Sequence, residues 1–138
     1  MKKYIYIWVL LLCMLYACNQ QKSPVNSNKE SANIEFLSKK DYEFGMLSIR
    51  DTLYHTFLFK NIGNTPFVIN HVESSCGCLR VVYPKYPVMP NNIDSICFIY
   101  DGNGFNPGRF IKSCTIYSNA NRETPITLII RGGFCNDL

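Results

Sequence analysis

The chain lacks most of what a catalytic domain shows in its primary structure. It has only two histidines in 138 residues. No paired-carboxylate motif, phosphate-cradling glycine loop or zinc-protease helix signature is present. Gly102-x-Gly104 follows an apolar stretch but opens no helical pattern, so it does not read as a nucleotide loop. Ser74 and Ser75 lack the strand–turn–helix context of a nucleophile elbow. Helical periodicity is sustained nowhere beyond residue 33, which argues against a bundle, and no segment recurs at a fixed period, which argues against a solenoid. No apolar run reaches the roughly 20 residues that a membrane-spanning helix needs. Charge of one sign is scarce too. The net charge is +4, but without Lys2 and Lys3 the balance is 12 basic against 10 acidic side chains. Lys39-Lys40 is the only adjacent basic pair left. No basic stripe can form on that pattern, so nucleic acid is excluded as a partner.

What is present begins with a leader. Lys2 and Lys3 precede an unbroken apolar run from Tyr4 to Leu15, the make-up of a signal-peptide core. Leu15-Tyr16-Ala17-Cys18 follows and resembles a lipobox, in which the cysteine receives a diacylglyceryl group and the chain is cut before it. Cys13 is the poorer candidate because Leu12 precedes it. The reading is a signal peptide over 1–17 and a lipid anchor at Cys18 with a tether over 18–33. Asn, Gln, Ser and Lys dominate from Asn19 to Asn33, and they cannot bury enough apolar surface to fold. Asn19 rather than an aspartate follows the cysteine, and Gln20-Gln21-Lys22 brings no acidic run. By analogy with lipoprotein sorting, the expected location is the cell envelope, on the outer membrane and facing the periplasm.

Residues 34–138 alternate short apolar stretches with turn residues. With 47% hydrophobic residues, the chain has enough apolar surface for one packed core. Strands are expected at 34–37, 42–47, 52–60, 66–73, 79–83, 93–100, 109–117 and 126–131. Period-2 alternation puts Leu53, Phe57 and Phe59 on one face, and likewise Ile96, Phe98 and Tyr100, or Phe110, Cys114 and Ile116. The turns are marked by Asn61-Ile62-Gly63-Asn64, Asp101-Gly102-Asn103-Gly104, Asn106-Pro107-Gly108 and Ser118-Asn119-Ala120-Asn121. Seven to eight short antiparallel strands with turns every 8–12 residues predict an all-β, immunoglobulin-like β-sandwich. Pro84, Pro87 and Pro90 recur in a stretch that cannot join a sheet, which leaves Tyr83 and Tyr86 partly exposed.

From Phe57 onward a series of landmarks can be read: Phe57-x-Phe59-x-Asn61-x-Gly63, Pro66-Phe67-x-Ile69 and Val72-x-Ser74-Ser75-Cys76-Gly77-Cys78. Tyr100-Asp101, Gly108-x-Phe110-x-Lys112, Tyr117-Ser118-Asn119 and Gly132 follow, with Phe44-Gly45 upstream. Over roughly residues 40–134 this resembles bacterial domain-of-unknown-function family 1573, Ig-like domains of envelope lipoproteins. Leu79 stands where that family usually has threonine. The resemblance implies a fold and an envelope location and brings no activity.

The candidate chemistry lies in Cys76-Gly77-Cys78. Extended residues two apart have Cα atoms about 7 Å from each other, too far for a disulfide unless Gly77 turns the chain. Three readings stand: a small, easily reduced disulfide ring; a soft-metal clip for copper or zinc with His71 adding an imidazole; and two small residues packing a loop. The cysteines after Cys18 are odd in number, so at least one is free or pairs outside the chain. Cys97 has the opposite parity to its core-facing neighbours, so the pleat forbids a bridge to Cys114. His55 shares parity with Phe57 and is expected at the core edge with a hydrogen-bonded nitrogen. The leading expectation is a non-catalytic, lipid-anchored module that binds or scaffolds another envelope protein or a glycan, with no cofactor. The alternative is a thiol-redox or metal-binding protein using Cys76 and Cys78.

Overall fold

The computed structural model describes residues 32–48, 51–103, 107–120 and 125–135. Cys18, the leader and most of the tether lie outside the described residues, as do Gly104, Asn106 and Asn121 of the turn clusters. Eight strands form two four-stranded sheets: β1 (Ile34–Phe36), β2 (Asp41–Leu47), β3 (Thr52–Asn61), β4 (Ile69–Ser74), β5 (Leu79–Val82), β6 (Ile93–Asp101), β7 (Gly108–Ser118) and β8 (Ile126–Phe134). One sheet has the order β1-β3-β6-β5 and the other β2-β8-β7-β4. All eight expected strands are found. The fourth starts later than expected because Pro66 has no amide to give a ladder; Phe67 instead makes an isolated bridge to Val88.

The core follows the predicted parity. Phe57, Phe59, Ile96 and Phe98 from one sheet meet Ile116, Leu128 and Ile130 from the other, all essentially without solvent contact. Phe57 packs edge-on to Phe98, with ring centroids 5.1 Å apart, and Phe59 packs against Phe67 at 5.4 Å. Full burial of each such ring contributes about 2–3 kcal/mol.

One pairing departs from the antiparallel expectation: β2 runs parallel to β8. Residues 37–40 carry the chain across from β1 in one sheet to β2 in the other, instead of folding it back as a hairpin. The β2–β8 register shifts between Glu43 and Met46, around Gly45 at φ +76°, a backbone angle that favours glycine. Two further glycines keep this edge close: a Cβ at Gly132 would lie 2.7 Å from the Phe110 ring, and one at Gly133 would lie 2.5 Å from Met46 Sδ.

Asn61 ends β3 and is fully buried. Its side-chain amide donates to Thr65 O and Val88 O, both at 2.9 Å, while its Oδ1 accepts from Gly63 N at 3.0 Å. This one side chain ties the crossover after β3 to the proline-rich segment between β5 and β6. Asn119 does a similar job after β7, accepting from Val68 N and donating to Pro66 O, both at 2.9 Å.

Candidate functional site

The segment Ser75–Cys78 leaves the edge strand β4 of one sheet and enters β5, the edge strand of the other. Ser75 extends the β4–β7 ladder by donating its amide to Ser113 O at 2.9 Å, and its Oγ accepts from Ser113 N at 3.0 Å. Cys76 to Leu79 then forms a turn closed by Leu79 N donating to Cys76 O at 3.2 Å. Ser74 Oγ donates to the same carbonyl at 3.0 Å. Cys78 O accepts from Asp101 N at 3.0 Å, which pins the far side to the other sheet. In this turn the Cα atoms of Cys76 and Cys78 are 5.2 Å apart and the two sulfurs form a disulfide. Both residues are half-buried and pack against the core, and Gly77 between them is exposed.

The turn therefore realises the disulfide reading and leaves no free thiolate for the metal clip. His71 is not brought to the cysteines. It sits on the outward face of β4, stacked 4.2 Å from the Tyr117 ring and 3.6 Å from Glu73. The pleat sends it away from the core that the cysteines pack against. Among the described residues no group of three His, Cys, Asp or Glu could hold a metal ion.

The other described cysteines are free thiols. Cys97 lies opposite Thr56 on the outward face of β6, and Cys114 is buried on β7, in the other sheet. Burial pushes the Cys114 thiol up to about 12, so it stays protonated at neutral pH. Cys135 is exposed beyond the end of β8, where its amide donates to Leu47 O on β2.

His55 corrects one expectation. It stacks on Tyr42 at 3.7 Å and meets Phe57 edge-on at 4.5 Å, as core-edge parity requires. Its Nε2, however, is buried with no hydrogen-bond partner, because the neighbours filling that corner are aromatic rings. Loss of water around the ring holds its pKa below the usual histidine value.

A hollow of about 450 Å³ is floored by Tyr100, Phe110 and Phe134 and edged by Arg109 and Lys112. It is open to solvent and pairs no acid with a base.

Sequence reasoning missed a broader feature, the outer face of the β1-β3-β6-β5 sheet. Tyr54, Leu58, Val82 and Ile93 are 64%, 45%, 50% and 58% exposed, and Ile99 lies beside Tyr54 in register. The signal was available. If Leu53, Phe57 and Phe59 face inward, Tyr54 and Leu58 must face out, in strands that carry large apolar residues at both parities.

Two packed sheets with crossovers between them and split first strands at the edge define an immunoglobulin-like, PapD-like sandwich. Solved structures share the fold. A protein of unknown function from Porphyromonas gingivalis W83 aligns with a TM-score of 0.64 at 14% identity, over 81% of this chain and 51% of that one. This chain thus spans about half the length of that protein. The ASH/PapD-like domain 7 of human CEP192 aligns with a TM-score of 0.62 at 12% identity, covering 84% and 94%. A family 123 glycoside hydrolase from Clostridium perfringens gives 0.59 at 13% identity, covering 78% and 27%. At these identities the likeness is one of fold. No curated protein matches the sequence. The chain belongs to the DUF1573 family, proteins of unknown function, which it matches over residues 34–134.

Proposed function

We propose that this is a lipid-anchored envelope protein whose sandwich is a binding module for another envelope protein. The observation that carries the reading is the apolar outer face of the β1-β3-β6-β5 sheet, with Tyr54, Leu58, Val82 and Ile93 in the open. Large exposed apolar groups set among polar ones such as Thr56, Lys60, Ser95 and Arg80 on one sheet face suit a contact site. Four strands at about 4.8 Å spacing make a platform roughly 19 Å across, broad enough for a folded surface. Its large exposed groups, Leu58, Val82 and Ile93 beside Tyr54, are mainly aliphatic, which favours a protein surface over a glycan.

The position of the tether supports a partner on the same membrane. From Cys18 the chain has the length to reach about 53 Å before it enters β1, the edge strand of this sheet. A short tether also raises the effective concentration of any partner held at that surface. Outer-membrane placement facing the periplasm belongs to the same proposal and rests on Leu15-Tyr16-Ala17-Cys18 and Asn19.

Photo-crosslinking groups placed at Tyr54, Leu58 and Ile93 in cells should capture one common envelope protein, while a group at Ile111 on the other sheet should not. Equal capture from both faces, or capture of a glycan, would refute the binding reading. Cys18→Ser should abolish acyl labelling; a serine variant that is still acylated would refute the anchor and leave the face untouched.

A further inference from the structure

The turn between β4 and β5 carries more than the fold requires. Its backbone is held on both sides without the sulfurs, by the Ser75–Ser113 pair in one sheet, the Asp101–Cys78 bond in the other and the Leu79–Cys76 bond between them. A disulfide restrains the unfolded chain in step with the logarithm of the loop that it closes, and one intervening residue gives almost the least restraint available. The covalent bond adds little stability that the hydrogen bonds have not already supplied.

Gly77 is equally unexplained by the fold. The described glycines with positive φ are Gly45 and Gly108, so Gly77 needs no left-handed backbone. A Cβ built there meets nothing within 4 Å, unlike Gly102, where one would lie 2.5 Å from Phe134. A glycine that neither backbone nor packing demands, in an exposed turn between two bonded cysteines, leaves the chain bare where a second backbone can approach.

We propose that the Cys76–Cys78 disulfide is a thiol–disulfide exchange site whose substrate is a cysteine pair on another polypeptide. This goes beyond the binding reading and does not depend on the lipid anchor. A substrate thiolate bonds to one of the two sulfurs. The Sγ–Sγ bond breaks, its electron pair leaves on the other sulfur, and that thiolate takes up a proton. The second substrate thiolate then attacks the substrate sulfur of the mixed disulfide and releases the remaining cysteine. The substrate dithiol is oxidised to a disulfide, and Cys76 and Cys78 are reduced by the same two electrons. The other described thiols lie outside this turn. Cys114 is buried, Cys97 is on the outward face of β6, and Cys135 is beside β2, at the opposite edge of its sheet from β4.

The test uses the full-length protein in detergent, with reduced glutathione and a reduced two-cysteine peptide as probes. Thiols are trapped with a maleimide and located by mass spectrometry. In about 5 mM glutathione Cys76 and Cys78 should become reactive while the protein stays folded and Cys114 stays unlabelled. The peptide should be oxidised in equimolar yield. Gly77→Val should slow the peptide reaction at least about tenfold and change the glutathione rate less than about twofold, since a small thiol needs no room for a second backbone. Cys76→Ser with Cys78→Ser should abolish peptide oxidation and shift Tm by less than about 3 °C. If the double variant fails to fold, Cys78→Ser alone should leave the reduced peptide unoxidised, since a lone Cys76 thiol has no disulfide to exchange, and oxidation at the wild-type rate in that variant would overturn the proposal. The proposal is overturned if the bond opens only on unfolding, if the double variant oxidises the peptide as wild type does, or if Gly77→Val slows both thiols equally.

Discussion

Along β3 the outward side chains run Tyr54, Thr56, Leu58 and Lys60, and β6 beside it adds Ile93, Ser95, Cys97 and Ile99. Across the sandwich, β7 and β8 show Ile111, Ser113, Thr115, Tyr117, Thr127, Ile129 and Arg131. Ile111 of the second set is 61% exposed, but Arg131 and Tyr117 of the same set are tied into polar contacts. Arg131 Nη2 lies 2.7 Å from Asp41 Oδ2, while Tyr117 stacks on His71 and donates to Glu73 Oε2 at 3.2 Å. On the first sheet more of the large apolar groups stand open: Tyr54, Leu58, Val82 and Ile93. The inward faces must obey one rule, because they share a core. Nothing in the packing forces the outward faces to differ, and the proposed partner is one account of the difference.

The largest effects should fall on what the sheets share. Phe59→Ala should cost about 3–5 kcal/mol in denaturant unfolding, because its ring is fully buried between the layers. A loss below about 1 kcal/mol would mean that the two faces do not depend on a common core.

Next comes Asn61→Ala, at about 2–3 kcal/mol, since it strands two carbonyls and an amide. Hydrogen exchange should rise first at Phe67, Val88 and Asn91, on the side of the open face. Uniform loosening of β7 and β8 would contradict that local role.

The sequence made the strands legible because period 2 is written directly in side chains such as Leu53, Phe57 and Phe59. It left the hub role of Asn61 illegible, since Asn61-Ile62-Gly63-Asn64 reads as a turn whether or not the asparagine is buried. Two expectations fail for physical reasons. Parity places His55 at the core edge but says nothing of whether its neighbours carry polar atoms. His71 lay close to Cys76 in sequence, and one step of the pleat sends it to the other face. The disulfide was legible as one option only, because the fate of Cys-Gly-Cys depends on a turn set by Ser113 and Asp101, far along the chain.

A smaller effect separates the sheets by pH. His55, on the open-face sheet, has a folded pKa held below the ordinary value near 6.5 by loss of water. The unfolded chain therefore binds the extra proton first. Stability is complete above about pH 6.5 and falls as pH drops from there through the lower folded value. Asp41, on the other sheet, is lowered by its hydrogen bond from Arg131 and acts only below its ordinary value near 3.8. His55→Phe should remove the acid limb that begins below about pH 6.5 and stabilise the fold by about 1 kcal/mol. If the limb persists in the phenylalanine variant, another group carries it.

The smallest effect on stability is the sharpest test of the comparison itself. Tyr54→Glu and Ile111→Glu each put a carboxylate on an outward, well-exposed position of a central strand, one on each sheet. Neither removes a buried contact, so each should change unfolding free energy by less than about 0.5 kcal/mol. Their effects on binding should diverge. The charge at Tyr54 would have to be desolvated against an apolar partner, which costs several kcal/mol when no counter-charge is supplied. It should therefore abolish the photo-crosslink formed from Leu58 and Ile93. The charge at Ile111 joins a face already carrying Asp41, Glu43, Glu73 and Arg131, and should leave the crosslink intact. Loss of the crosslink in both variants, or in neither, would show that the apolar exposure along β3 and β6 is not what the partner reads.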